Sequence, residues 1–422
     1  MISCNENTLF FGPVQWVFEL IRKAYGIDII GDETFKVNIG VEANNHIQLS
    51  ESFFNTIIKQ RKFAFDNFFK EEPLIRTNDG RPDYISSIFY LVNGFQEYDL
   101  TEKQKDKYGR LDFKQSLQHK YGILEKDLVQ EYVQKLLFQI DSTLKLKETA
   151  SRIFISHDID SVYGSLKYDG LRALKSVNIP QMLKIIYQTI IFNPPWFNID
   201  KIAQLENEHD IKACYYWIVK KGRASDGIKN GDYSFRNKKI QSQLNVAQSL
   251  GNEIGLHKST MPIEMGQECK VLPDAKSNRF HFLKINNPED FITMENCGIQ
   301  SDSSIGFPYN MGFKNSFGLP YYPYDLDRME KVNVLEIPLQ IMDGMFDIKN
   351  LQEQNIGYNR IIDFIENNKT NAIISILWHN SEMTNYSYKW SFECYKKLLQ
   401  YFVDNKYETV LPSQLVNEYE IA

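Results

Sequence analysis

The sequence predicts an α/β fold in two domains, and three observations carry that expectation. Short β-branched and aromatic runs recur through the last two-thirds of the chain, several of them lead into acidic or histidine residues, and before residue 150 the texture turns helical. With 422 residues, 43% hydrophobic and 14% aromatic, the chain can bury a large core and divide into two domains.

Along the chain, the apolar spacing of Leu128 to Phe138 predicts a helix, and the polar stretch Asp141 to Ala150 leads out of the first domain. We place the boundary near Leu146, giving an N-terminal α/β domain over 1–146 and a second domain over 147–422. The second opens on a strand, Arg152-Ile153-Phe154-Ile155, followed by Ser156-His157-Asp158-Ile159-Asp160. A helix-like segment stops at Gly251, and the strand-like Asn252-Glu253-Ile254 then delivers Gly255-Leu256-His257. Arg279-Phe280-His281 comes next, then Ser301-Asp302-Ser303-Ser304, and the run Ala372 to Trp378 ends at His379. Strand ends of this kind are where α/β folds present catalytic groups, because the strand interiors are filled by packing.

Asp158 and Asp160 lie two residues apart, so in an extended chain they point the same way. Two like charges that close are unfavourable unless a cation or proton intervenes, which suits one aspartate binding a metal while the other acts as base. The plain alternative is a solvated Asp-x-Asp at a loop start. Imidazole, carboxylate and guanidinium are together what metal-assisted hydrolysis needs. Each also has an ordinary structural reading: a satisfied loop histidine for His257, a packed polar cluster for His379, a surface arginine for Arg279, and an Asx turn or helix cap for Asp302.

In order and in strand context these segments, with Gly298-Ile299-Gln300 before Asp302 and Glu336-Ile337-Pro338, resemble the NodB-type polysaccharide deacetylases, carbohydrate esterase family four, over roughly residues 150 to 415. The resemblance implies a distorted (β/α) barrel and removal of acetyl groups from an N-acetylated sugar or glycan precursor, in surface polysaccharide metabolism. It also implies a divalent metal cofactor, zinc by preference. By position, Asp158 resembles the general base, Asp160 a metal ligand, His257 the first histidine ligand, and Arg279 the arginine that tethers the base. Asp302 resembles the partner of the acid, and His379 that general acid. Asp83 to Leu91 and Tyr108-Gly109-Arg110 resemble a domain of unknown function that precedes deacetylase-like domains in some bacterial proteins.

The sequence departs from the family at one ligand. The second metal histidine usually comes four residues after the first, and here that residue is Met261. A thioether is a poor ligand for an oxygen-activating metal. His281 is the expected substitute, with Glu264 and His157 as further candidates; otherwise His281 packs between Phe280 and Phe282.

A net charge of −6 leaves no electrostatic footprint for nucleic acid. Cys4, Cys214, Cys269, Cys297 and Cys394 lack metal spacing and read as ordinary reduced thiols. The opening Met1 to Asn7 has no basic signal-peptide region, and no apolar run reaches 18 residues, so the expected location is cytoplasmic, without a transmembrane segment. The apolar segment Met182 to Phe197 is expected as a helix packed over the barrel, with a membrane-surface or partner contact, including a homo-oligomer, as the alternative. Three function classes follow: the metal-dependent amide hydrolase, a catalytically silent sugar-binding or scaffold relative, and a metal-free glycosidase using carboxylates such as Asp158 and Asp302.

Overall fold

The structure, a computed structural model, describes residues 2–3, 8–29, 37–42, 45–191 and 193–421. Cys4, most of the opening heptapeptide and Phe192 of the 182–197 segment lie outside the described residues.

Eight strands form the main sheet: β1 (Arg152–Ile159), β2 (Cys214–Trp217), β3 (Glu253–Lys258), β4 (Ser277–Phe280), β5 (Ser301–Asp302), β6 (Leu335–Glu336), β7 (Ile341–Met342) and β8 (Ile373–Leu377). Their order is β6-β5-β4-β3-β2-β1-β8-β7, and every neighbouring pair is parallel. The connection between the two edges shows that this sheet is curled. Only Ile337 to Gln340 separate β6 from β7, so the edges stand no more than about 18 Å apart. Laid flat, eight strands would span roughly 34 Å.

Period-two alternation divides the side chains between the two faces. Ile153, Ile155 and Ile159 of β1 join an outer core with the helices Ile199–Glu208, Lys238–Ser249, Leu351–Asn367 and Lys389–Asp404. Phe154, at the start of β1, instead joins Cys214, Leu335 and Ile373, which open β2, β6 and β8, in a cluster shared with the N-terminal region. That region contains three short parallel strands, Ile2–Ser3, Val37–Gly40 and Ile47–Gln48, and the helices Phe11–Tyr25, Tyr84–Val92 and Leu128–Ile140. The helix expected over 128–138 forms, capped by the Asp127 carboxylate accepting from the Gln130 amide at 2.9 Å. This shared apolar cluster seals the N-terminal ends of the strands and leaves their C-terminal ends for polar groups.

The segment expected to pack over the barrel does so only at its end, where Trp196 and Phe197 are buried and Phe197 joins the outer core. Ile179–Ile191 is helical, but it pairs with the preceding helix Ser165–Lys175, and Ile185 is its one buried residue. Its apolar stripe faces outward. Among the described residues, no helix is long and apolar enough to cross a membrane.

Candidate active site

The C-terminal ends of β1, β3, β4 and β8 bring the acidic and histidine residues to one place. Asp158 and Asp160 both approach His257, at 3.6 and 3.2 Å from its Nε2, as their shared direction along β1 requires. Three imidazoles surround the Asp160 carboxylate, since His281 Nε2 stands 3.6 Å and His379 Nε2 3.7 Å from Asp160 Oδ2. Each ring is held by its other nitrogen. His257 Nδ1 faces the Arg279 carbonyl at 2.8 Å, His281 Nδ1 the Asn230 side-chain oxygen at 3.2 Å, and His379 Nδ1 the Asp343 carboxylate at 2.9 Å. All three partners are acceptors, so Nδ1 carries the proton and Nε2 is turned towards Asp160.

This pattern fits a metal. Ligand atoms of Asp160, His257 and His281 lie within 4.8 Å of one another. In the neutral rings, the Nε2 lone pairs and the carboxylate oxygens converge without a donor between them, and Asp160 Oδ1 is buried with no hydrogen bond. Only a cation or added protons relieve that arrangement. Burial works to raise the Asp160 carboxyl, but His281 and His257 outweigh it and hold it well below the usual carboxylate range. Two nitrogens and one carboxylate oxygen, each ring oriented by an outer acceptor, make a donor set of the kind that holds zinc. Met261 lines a cleft of about 590 Å³ that reaches this set at His281, together with Lys258, Glu264 and Lys284.

Arg279 is fully buried beneath the site. It donates through Nε to the Ser303 carbonyl (2.8 Å), through Nη1 to Ser156 Oγ (2.8 Å) and Asp158 Oδ1 (3.1 Å), and through Nη2 to Ser303 Oγ (2.9 Å). Its guanidinium also lies 4.6 Å from the centre of the Tyr216 ring. This fork fixes the Asp158 carboxylate in one orientation.

His379 is pushed up to about 10: burial opposes the charge, but Asp343, Asp160 and Asp158 together overcome it. The expectation that Asp302 would orient His379 is corrected here. Asp302 accepts from Asn278 Nδ2 (2.7 Å), Ser304 Oγ (3.0 Å) and the Ser304 amide (2.9 Å), the last closing an Asx turn. Burial raises its carboxyl and, together with Asp302, raises that of Glu336 well above its ordinary value. The reason is topological: β8 has β1 and β7 as neighbours, whereas β5 lies at the far side of the sheet. The residue following β7 is Asp343, which the sequence reading missed; its signal was an acid directly after the apolar Ile341-Met342.

The other two candidate ligands are not part of the converging group. His157 alternates to the outer face, where Nδ1 faces the Trp378 carbonyl (2.7 Å) and Nε2 the Glu206 carboxylate (2.6 Å). Glu264 lines the same cleft as Met261.

The N-terminal region also reaches this end of the barrel. Arg110 donates to the Phe282 carbonyl while Asp106 holds its guanidinium at 2.6 and 2.9 Å, and the Tyr108 ring packs at a tilt against that of Phe282, their centres 4.7 Å apart. Phe282 and Leu283, immediately after His281, both adopt left-handed φ, 62° and 54°. Such conformations cost about 1 kcal/mol or more each in non-glycine residues and persist where surrounding contacts impose them. The Arg110 contact is one of these.

Comparisons with known proteins give one family match, in the N-terminal region, and several structural ones. A family of unknown function, DUF7033, matches residues 15–145. No curated protein matches the chain. Among solved structures, the chain is similar to a protein from Mycobacterium smegmatis assigned as a polysaccharide deacetylase, at 9% identity and TM-score 0.40, covering 65% of this chain and 92% of that one. It is similar to the chitin deacetylase of the fungal pathogen Colletotrichum lindemuthianum at 8% identity and TM-score 0.33, covering 64% and 90%. A wild-type CE4 family pseudoenzyme from Bacillus anthracis matches at 8% identity and TM-score 0.25, covering 66% and 71%.

Proposed function

We propose that the chain is a metal-dependent hydrolase of the polysaccharide deacetylase type, built on that family's distorted barrel, which removes acetyl groups from an N-acetylated sugar or glycan precursor. The observation that carries this reading is the convergence of Asp160, His257 and His281 on one point, flanked by the Asp158–Arg279 and His379–Asp343 pairs. When bound by these three residues, zinc would supply Lewis-acid activation of water and of the amide carbonyl. Asp158, held by Arg279, takes the proton of the attacking water. His379, raised by Asp343, Asp160 and Asp158 against the effect of burial and oriented by Asp343, gives a proton from Nε2 to the departing amine, which is a poor leaving group without one. Atoms balance as amide plus water giving acetate and free amine.

The silent alternative rested on Met261, and the position of His281 supplies the nitrogen donor which that residue lacks. The metal-free glycosidase is disfavoured because Asp302 is sealed from solvent and its carboxylate is engaged by Asn278 and Ser304.

The test is metal content together with acetate release. The full chain, purified without chelator, should carry equimolar zinc and release acetate from N-acetylglucosamine oligosaccharides. Asp158→Asn should keep the metal and lose turnover, and Asp160→Asn should lose the metal, because only the second removes a charged ligand. Equal metal content in the wild type and Asp160→Asn would overturn the assignment.

A further inference from the structure

The helical hairpin that follows β1 carries its apolar side chains on the wrong side for a soluble fold. Leu171, Leu174, Val177, Leu183, Ile190 and Ile191 are each between 49% and 77% exposed. In Ile179–Ile191 the apolar residues at 179, 183, 187 and 190 recur at helical spacing, a stripe that ordinarily faces a core. Of the 18 large apolar residues exposed among the described residues, 11 lie between Tyr163 and Ile191, so this is a concentrated patch rather than ordinary scatter.

Charge identifies what covers it. From Ser161 to Ile199 the chain has four basic residues, Lys167, Arg172, Lys175 and Lys184, and one acid, Asp169. Asp169 is buried and accepts from Trp196 Nε1 at 2.8 Å. The hairpin is therefore +3 in a chain of −6, which leaves −9 for the remainder. A second copy would set two positive hairpins against each other. An anionic lipid surface complements both the apolar stripe and the basic residues.

We propose that this hairpin docks the chain on an anionic bilayer, lying in the interface with its apolar stripe at the acyl boundary and its lysines among the headgroup phosphates. The helices have 11 and 13 residues, or about 16 and 20 Å, against roughly 30 Å of hydrocarbon, so they lie on the membrane rather than span it. The hairpin begins five residues after Asp160, at the strand ends that carry the candidate site, so docking holds that end of the barrel beside the lipid. The proposal does not depend on the hydrolytic reading, since neither the patch nor its charge involves the site residues.

Flotation of the full chain with phosphatidylcholine vesicles, with and without phosphatidylglycerol, tests it. The chain should float with the anionic vesicles and be released by salt. Lys175→Gln and Lys184→Gln should each weaken binding about fivefold, and Leu183→Ser combined with Ile190→Ser at least about tenfold. All these side chains are exposed, so thermal midpoint and metal content should stay at wild-type values in every variant. Wild-type chain that remains with the soluble fraction would overturn the proposal. So would equal binding to neutral vesicles, or a concentration-dependent dimer in analytical ultracentrifugation that Ile190→Ser abolishes, which would make a second copy the occupant.

Discussion

Replacing Arg279 with Met isolates the electrostatic core of the site. The change nearly conserves volume, so the cavity contribution is small and the loss is mainly electrostatic. It removes a fully buried cation with four hydrogen bonds of 2.8 to 3.1 Å, one of them to Asp158. Removing one partner of a buried ion pair typically costs about 3 to 5 kcal/mol, because the other charge is left uncompensated. Without a metal, Asp158 and Asp160 raise the His257 imidazole against the effect of burial, so that Nε2, 3.6 Å from Asp158, can be protonated as well, which argues for the lower end, about 3 kcal/mol. Thermal unfolding of chelator-treated protein should fall by roughly 6 to 12 °C, at 2 to 4 °C per kcal/mol for a domain of this class, and urea unfolding should show the same loss with an unchanged slope. Adding Asp158→Asn removes the stranded charge and should recover about 1 to 2 kcal/mol, a coupling expected of residues in contact. A loss below about 1 kcal/mol, or a double variant no more stable than Arg279→Met, would refute the account of Arg279 as the partner of a buried carboxylate.

Three further outcomes are expected. Asp343→Asn and His379→Ala should each slow acetate release without changing metal content, and together cost much less than the product of their separate effects; multiplicative losses would mean that they act separately. Glu336→Gln should leave thermal stability close to wild type near pH 5 and become increasingly more stable than wild type towards pH 9. The sign follows from the raised Glu336 carboxyl: its contribution is present while it is protonated and is lost as pH rises through the folded value, whereas Gln cannot ionise. A stability gap that stays constant with pH would remove the reading of Glu336 as a carboxyl raised by burial and by Asp302. Arg110→Met should weaken zinc affinity by less than the roughly 10- to 100-fold of substitutions that touch a ligand directly, because it acts only through the Phe282 carbonyl beside His281; unchanged affinity in isothermal titration would show that His281 is positioned without it.

What the sequence displayed were groups that follow long strands. Asp158 and His379 stand at the ends of β1 and β8, eight and five residues of largely apolar chain, where composition alone marks the strand. β5, β6 and β7 have two residues each, too short for any periodicity to register. The acid after Ile341-Met342 is accordingly a weak signal, and the family resemblance points to Asp302 as the partner of His379 instead. Order along the chain also says nothing about order across a sheet. β7 and β8 are neighbours because the four residues after β6 carry the chain across the gap between the two edges of the sheet, and the helix Leu351–Asn367 then returns it to lay β8 between β7 and β1. The outward apolar helix escaped for a related reason: a stripe at 3.6-residue spacing reveals amphipathicity but not which side the rest of the molecule occupies.

The proposed replacement of a ligand at Met261 by His281 follows from the geometry of parallel strands. His257 and Arg279 are in register on β3 and β4, so both project to the same face, and the residue two beyond Arg279 returns to that face one step nearer the strand ends. A nitrogen donor beside His257 can therefore come from the loop after its own strand or from the end of the adjacent one. The lateral route needs the chain to turn sharply after His281, and the left-handed Phe282 and Leu283 make that turn. Arg110, fixed by Asp106 at 2.6 Å, holds the Phe282 carbonyl at the bend. The N-terminal region thus has a physical connection to the candidate metal centre through a single turn, although it contributes none of the converging side chains.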